Sequence, residues 1–227
     1  MEIRRASLSD CASVGGMVVV IDVLRAFSTA AYALAAGARE ILLAGTVEQA
    51  FELRKQFPDY LIMGEVDGLK LKGFDLGNSP SELKRLDLSD RGLIHRTSAG
   101  TQGIVLSRRA EVLFAASFVV ARYTARVLRY LAPRSLTFII TGYGSGGYGD
   151  EDIACADYIE AMMNGNDVDP EPFIRRVRES HEGRIFADPA RPEFPASDLE
   201  YCVAHDRFNF ALQIERREGL LIMNDVI

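Results

Sequence analysis

The feature that most restricts the fold of this chain is a rhythm in residues 1–164, where short apolar runs rich in β-branched residues alternate with helical patterns. A run that is apolar at every position suits a strand buried on both faces. Strands separated by helices pair in parallel, with helices covering both sides of the sheet. Met17 to Ile21 reads MVVVI and stops at Asp22, and further strands are expected at Glu40–Leu43, Tyr60–Met63, Leu93–His95, Val112–Ala115 and Leu136–Thr141.

Helix signals fall between these runs. Ser28 to Ala36 is Ala-rich and is followed by Gly37, a residue suited to a C-terminal cap. Thr46 with Gln49 forms a capping box for a helix that Pro58 stops, and Ser79-Pro80-Ser81-Glu82 combines an N-cap, a first-turn proline and an N3 glutamate. Helices are also expected at Phe118–Leu131 and Glu151–Met163. After Gly165 come a charged helix near Phe173–Arg178, a Pro-rich link, a helix near Leu199–Val203 and a half-exposed strand at Phe208–Ile214. The expectation is a single α/β domain over 1–227, a three-layer α/β/α sandwich on a mainly parallel sheet, with 1–164 as its core and 165–227 as a smaller C-terminal lobe.

The net charge is -6 with Lys and Arg scattered, so nucleic acid is not an expected partner. The least polar stretch, Ala26–Ala38, is shorter than the ~20 apolar residues of a membrane span, and no secretory signal pattern opens the chain. Cys11, Cys155 and Cys202 are odd in number and far apart, which suits a reducing compartment. A cytoplasmic protein is expected. A charged tail after an apolar core further suggests self-association as a homodimer.

Open parallel sheets bind ligands outside the carboxyl ends of their strands, and polar residues collect at those ends here. Asp22 follows the first strand and needs a cation, hydrogen bonds or solvent in a cleft; it either binds metal or substrate or caps the next helix. Arg25 offers a planar fork for phosphate or carboxylate, or for a structural partner. The long Gly64–Pro80 loop carries Glu65 and Asp75 as candidate Mg²⁺ ligands, with Lys70, Asn78 and Ser79 as candidate anion contacts. Thr97-Ser98-Ala99-Gly100-Thr101 sets hydroxyls and amides at a strand-to-helix turn, where they can cradle phosphate oxygens. Gly142 opens a glycine-rich loop to Gly149, after which Glu151 and Asp152 are either metal ligands or first-turn acids that complement the helix dipole. His95 reads as a core histidine, and His181 and His205 lack metal-pair spacing.

VVVIDVLRAFSTA (Val18–Ala30), GEVDGLKLKGFDLGNSP (Gly64–Pro80), TSAGTQG (Thr97–Gly103), GYGDEDIACADYI (ending at Ile159) and LEYCVAHD (Leu199–Asp206) appear in the order found in 2-phosphosulfolactate phosphatases, which the chain resembles over nearly its whole length. The resemblance implies an α/β/α fold, Mg²⁺ dependence and hydrolysis of a small, sulfonated phosphate monoester in coenzyme M synthesis. On the residues themselves, catalysis is expected at Asp22, Arg25, Glu65 and Asp75, with Mg²⁺ held by some of Asp22, Glu65, Asp75, Glu151 and Asp152. Phosphate binding goes to Lys70, Asn78, Ser79, Thr97, Ser98, Gly100, Thr101 and Gly142.

Two family arginines are replaced, by Val66 and Gln102, and Ala99 stands where the family has asparagine. Each charge-assisted hydrogen bond contributes ~1.5–3 kcal/mol, so a diverged substrate is expected, with a non-catalytic anion-binding protein as the alternative. Asp22-Val23-Leu24-Arg25 also lacks the second aspartate of a haloacid-dehalogenase-type motif.

Overall fold

A computed structural model describes residues 1–142, 148–165 and 167–227. The elements run β1 (Glu2–Ser7), a 3-10 turn (Leu8–Ser13), β2 (Gly16–Ile21), α1 (Ala26–Ala35), β3 (Glu40–Leu43), α2 (Val47–Gln56), β4 (Leu61–Gly64), α3 (Pro80–Leu83), β5 (Gly92–Arg96) and α4 (Gly100–Leu106). They continue with β6 (Ala110–Ala116), a 3-10 turn (Phe118–Val120), α5 (Ala121–Leu131), β7 (Ser135–Ile140), α6 (Asp150–Met163), α7 (Glu171–Glu179), α8 (His181–Ile185), α9 (Ala196–Cys202), β8 (Ala211–Arg217) and β9 (Leu220–Val226).

Local signals account for most boundaries. Thr46 Oγ1 accepts from the Gln49 amide at 3.1 Å while Gln49 Oε1 accepts from the Gly45 amide at 2.8 Å, so the expected capping box starts α2 with its return bond shifted by one residue. Ser79 caps α3 with Pro80 in its first turn. The helix expected from Phe118 instead opens as a 3-10 turn before α5. Strand β1 (EIRRAS) escapes a hydrophobic-pattern reading because it is a charged edge strand, the composition that blocks edge-to-edge pairing.

The nine strands form one sheet in the order β1-β7-β2-β6-β8-β9-β3-β5-β4. Within β1-β7-β2-β6 and within β3-β5-β4 every pairing is parallel, whereas β6-β8, β8-β9 and β9-β3 are antiparallel. Strands β3, β5 and β4 therefore run against β2 and β7. This corrects the placement expected for the chain's end. The tail strand starts at Ala211, has a partner in β9, and this hairpin sits in the middle of the sheet, joining two parallel halves of opposite sense.

The three layers follow from strand alternation. Val18 and Val20 face an apolar layer shared with Phe27, Ala30, Leu83 and Ile104, supplied by α1, α3 and α4. Met17, Val19 and Ile21 face the opposite layer, where Leu128, Tyr158 and Val177 come from α5, α6 and α7. On that second side Ile62 and Ile94 pack with Ala50 and Leu53 of α2. No helix among the described residues is long and apolar enough to cross a membrane.

Candidate active site

The loops after β2, β4 and β5 converge although β2 and β4 belong to oppositely running halves. The bond from the Ser98 amide to Glu65 and the close packing of Gly100 on Asp22 hold these three loops together. They enclose a cleft of about 210 Å³ lined by Asp22, Arg25, Glu65, Asn78 and Ser98, with Leu24 and Phe194 as apolar walls.

Asp22 is buried, and its Oδ1 accepts from the Ala26 amide at 2.9 Å, so it does start α1. That bond leaves the negative charge largely unmatched. Burial, with Glu65 adding repulsion, pushes the carboxyl up from 3.8 to about 6. The turn before α4 comes so close that a Cβ on Gly100 would lie 2.7 Å from Asp22 Oδ2, which only glycine allows.

Glu65 is held by the next turns. Its Oε1 accepts from the Ser98 amide at 2.6 Å, and Oε2 accepts from the Gly68 amide at 2.6 Å and from Ser98 Oγ at 3.1 Å. Gly64 makes this possible: at φ +134 a Cβ would stand 1.9 Å from the Arg96 carbonyl oxygen.

Arg25 is buried, and its Cζ lies 5.4 Å from the Phe186 ring centroid and 4.9 Å from that of Phe194. Its NH1 group donates to Asp198 Oδ2 at 2.7 Å and to the Glu193 carbonyl at 3.2 Å, and NH2 donates to the Gly68 carbonyl at 3.2 Å. The structural partner that sequence reasoning left open thus exists, and it is Asp198. Asn78 is also buried, and its Oδ1 has no hydrogen-bond partner among the described residues.

Other expected site residues lie elsewhere. Asp75 binds Arg54 NH1 at 2.6 Å and accepts from the Ile62 amide at 2.8 Å, so it joins α2 to β4 instead of facing the cleft. Lys70 donates to the Asp75 carbonyl at 2.8 Å and does not line the cleft either. Thr97 and Thr101 are buried and engage each other: each amide donates to the other's hydroxyl, at 2.8 and 3.0 Å, which shapes the turn and leaves the cleft to Ser98. Ser79 Oγ donates to Asp198 Oδ1 at 2.8 Å.

Asp152 accepts from the Val23 amide at 2.9 Å, the Gly142 amide at 3.1 Å and Thr141 Oγ1 at 3.2 Å. It is a tie behind Asp22, and among the described residues Gly142 is linked to the site through it. Burial pushes the Asp152 and Glu151 carboxyls up, with Asp22 repelling the first and Asp152 and Glu182 the second. Residues 143–147 of the expected glycine-rich loop lie outside the described residues. His95 is fully buried in the core, where desolvation lowers it to about 3.

Sequence reasoning missed Asp198 and Phe194. Asp198 has only a weak signal, an acid in the first turn of a helix after Pro195. A second depression of about 220 Å³ beside Arg5, Ser7 and Asp10 is less apt for an anion: Arg5 is bound to Asp157 and Glu160, and Asp10 to Ser7.

A family described as 2-phosphosulpholactate phosphatase matches residues 4–216. A probable 2-phosphosulfolactate phosphatase of Bacillus subtilis (strain 168) is 35% identical over 199 residues, covering 87% of this chain and 86% of that protein. The chain belongs to the 2-phosphosulpholactate phosphatase family. Proteins of the same name from Thermotoga petrophila, 36% identical over 84% of this chain and 85% of their own, and from Carboxydothermus hydrogenoformans, 30% identical over 91% and 89%, agree.

Against the family pattern quoted above, Gln102 is turned inward, its Nε2 donating to the Gly45 and Thr97 carbonyls at 2.8 and 2.9 Å. Val66 closes a small turn with Leu69 through its backbone. Among the described residues no three His, Cys, Asp or Glu side chains converge as a preformed metal cage. The cleft is instead lined by the carboxylates of Asp22, Glu65 and Asp67 and by the carbonyl of Asn78, which has no partner among the described residues. That donor set suits a hard cation that takes one or two carboxylates and keeps several waters.

Proposed function

We propose that this chain is a phosphatase that hydrolyses a small phosphate monoester in the cleft between Asp22, Arg25 and Glu65, with Mg²⁺ as cofactor and water as the final acceptor. The reading is carried by one observation: a desolvated carboxylate, raised by a second carboxylate, faces the same small cavity as a guanidinium. Unmatched negative charge calls for a cation, and the donors that Arg25 does not spend on Asp198, Glu193 and Gly68 can hold an anion. A metal phosphate ester supplies both.

Asp22 and Glu65 would hold the ion, Glu65 being kept in place by the Gly68 and Ser98 amides. Mg²⁺, when bound, polarises the phosphoryl group and promotes attack by water. Arg25 would hold the anionic oxygens and Asn78 would orient the ligand, while Leu24 and Phe194 exclude bulk water and so strengthen these interactions. The first substrate to try is 2-phosphosulfolactate, which names the relatives. Val66 and Gln102 add no charge to the cleft, so a less anionic ester is favoured over it.

These same two residues support a second reading, a phosphometabolite-binding protein without turnover. Phosphate release from a panel of small esters, with Mg²⁺ and with chelator, separates the two: Mg²⁺-dependent release supports the phosphatase, and ester binding without release supports the binding protein. The enzyme is further taken to be a cytoplasmic homodimer, for which sedimentation of a monomer at micromolar concentration would be the contrary result.

A further inference from the structure

We infer that Asp198 is a positioning residue: it fixes the guanidinium of Arg25 in its anion-holding orientation and locks it to the start of α3. The inference rests on the reading of Arg25 as the group that holds the substrate anion.

Asp198 is fully buried and joins three segments that are remote in sequence. Its Oδ2 takes Arg25 NH1 at 2.7 Å, and its Oδ1 takes both Ser79 Oγ at 2.8 Å and the Ser81 amide at 3.0 Å. Arg25's other protein acceptors, the Glu193 and Gly68 carbonyls, are both longer, at 3.2 Å. Phe186 and Phe194 flank the guanidinium and restrict its position, but aromatic faces do not select among its donor edges. Of the three bonds that do so, the charge-assisted one to Asp198 is the shortest.

A guanidinium has five N–H donors. Both NH1 hydrogens and one NH2 hydrogen are engaged, which leaves the Nε hydrogen and the second NH2 hydrogen for a ligand. Rotation of the fork would exchange these sets and turn engaged donors toward the cleft. A buried ion pair adds little net stability over an apolar pair of similar volume, so this pair is better explained by orientation than by stability. Asp198 also links the fork to the cap of α3, next to which Asn78 lines the same cleft. One carboxylate thereby sets the relative position of two groups that face the ligand.

The test is a double-mutant cycle on Asp198→Asn and Arg25→Met, read as KM and kcat for 2-phosphosulfolactate with Mg²⁺ and as inhibition by inorganic phosphate. Asn retains acceptance from Ser79 and Ser81 through its own oxygen but removes the charge that orients Arg25. With Arg25 present, Asp198→Asn is expected to raise KM and the phosphate inhibition constant by about tenfold to a hundredfold, with kcat changed far less. In the Arg25→Met background the same substitution should change neither by more than about twofold, because nothing remains to be positioned.

Equal effects in both backgrounds would overturn the inference while leaving the role of Arg25 intact. If Arg25→Met alone leaves KM and phosphate inhibition unchanged, the reading of the site fails first, and the inference with it. Should Asp198→Asn not fold, Asp198→Glu keeps the charge but displaces it by one methylene. It must then raise KM only when Arg25 is present; an equal rise in the Arg25→Met background overturns the inference.

Discussion

Replacing Asp22 by asparagine separates a metal-binding carboxylate from a simple helix cap. Asn keeps the acceptor for the Ala26 amide, so the start of α1 should survive. It removes a carboxyl that burial has raised from 3.8 to about 6. The folded state holds that proton more tightly than the unfolded chain, so the wild type loses stability as pH rises through about 4 to 6 and stays destabilised above that window. A shift of about two units corresponds to roughly 3 kcal/mol at pH 8. The new amide group facing the Gly100 turn offsets about 1–2 kcal/mol of that gain.

The metal-free variant should therefore be about 1–2 kcal/mol more stable than wild type at pH 8, or roughly 2–8 °C higher in Tm for a chain of this size. Near pH 4, where little of that linkage term remains, the amide cost should leave the variant about 1 kcal/mol less stable than wild type. Saturating Mg²⁺ should raise the wild-type Tm, since a ligand at 100 times its Kd contributes ~2.7 kcal/mol, and should leave the variant unmoved. Melting curves at pH 4 and 8, with chelator and with Mg²⁺, give all four numbers. A variant that melts lower at both pH values and keeps the Mg²⁺ shift would refute the reasoning and return Asp22 to the role of a cap.

Gly64→Ala would force a Cβ against the Arg96 carbonyl at a positive φ and should cost about 2 kcal/mol or more in chemical denaturation, with loss of activity because Glu65 moves with it. Asp75→Ala breaks the Arg54 pair and the Ile62 amide bond and should lower stability by about 1 kcal/mol, while the Mg²⁺ response and kcat stay as in wild type; a lost Mg²⁺ response would restore Asp75 to the metal site. Cys11, Cys155 and Cys202 are buried thiols that desolvation raises above their ordinary range, so a thiol reagent should label none of them until denaturant is added.

What was legible in the sequence was local. MVVVI announces β2 because an apolar, β-branched run has few other uses, and Ser79-Pro80 announces α3 because its cap lies within the tetrapeptide. Asp22, Arg25, Glu65, Asn78 and Ser98, which line one cleft, stand out in the sequence because strand ends and loop starts are where polar groups can avoid the core. What was not legible depends on partners distant in sequence. Nothing in Phe208–Ile214 tells that β8 and β9 will enter the middle of the sheet and reverse its second half. Asp75 looked like a ligand because its cation, Arg54, sits on a different element, and Asp198 went unnoticed because Arg25 is 173 residues away. Thr97 and Thr101 have the composition of a phosphate cradle, but their spacing lets each satisfy the other.

The most direct measurement is crystallographic: diffraction from crystals grown with Mn²⁺ in place of Mg²⁺ and soaked in inorganic phosphate, with anomalous scattering marking the metal. The account predicts one anomalous peak between the carboxylates of Asp22 and Glu65, with phosphate oxygens shared between that ion and the free donors of Arg25. An empty cleft under these conditions, or a metal bound instead at Asp75 or beside Ser7 and Asp10, would contradict it.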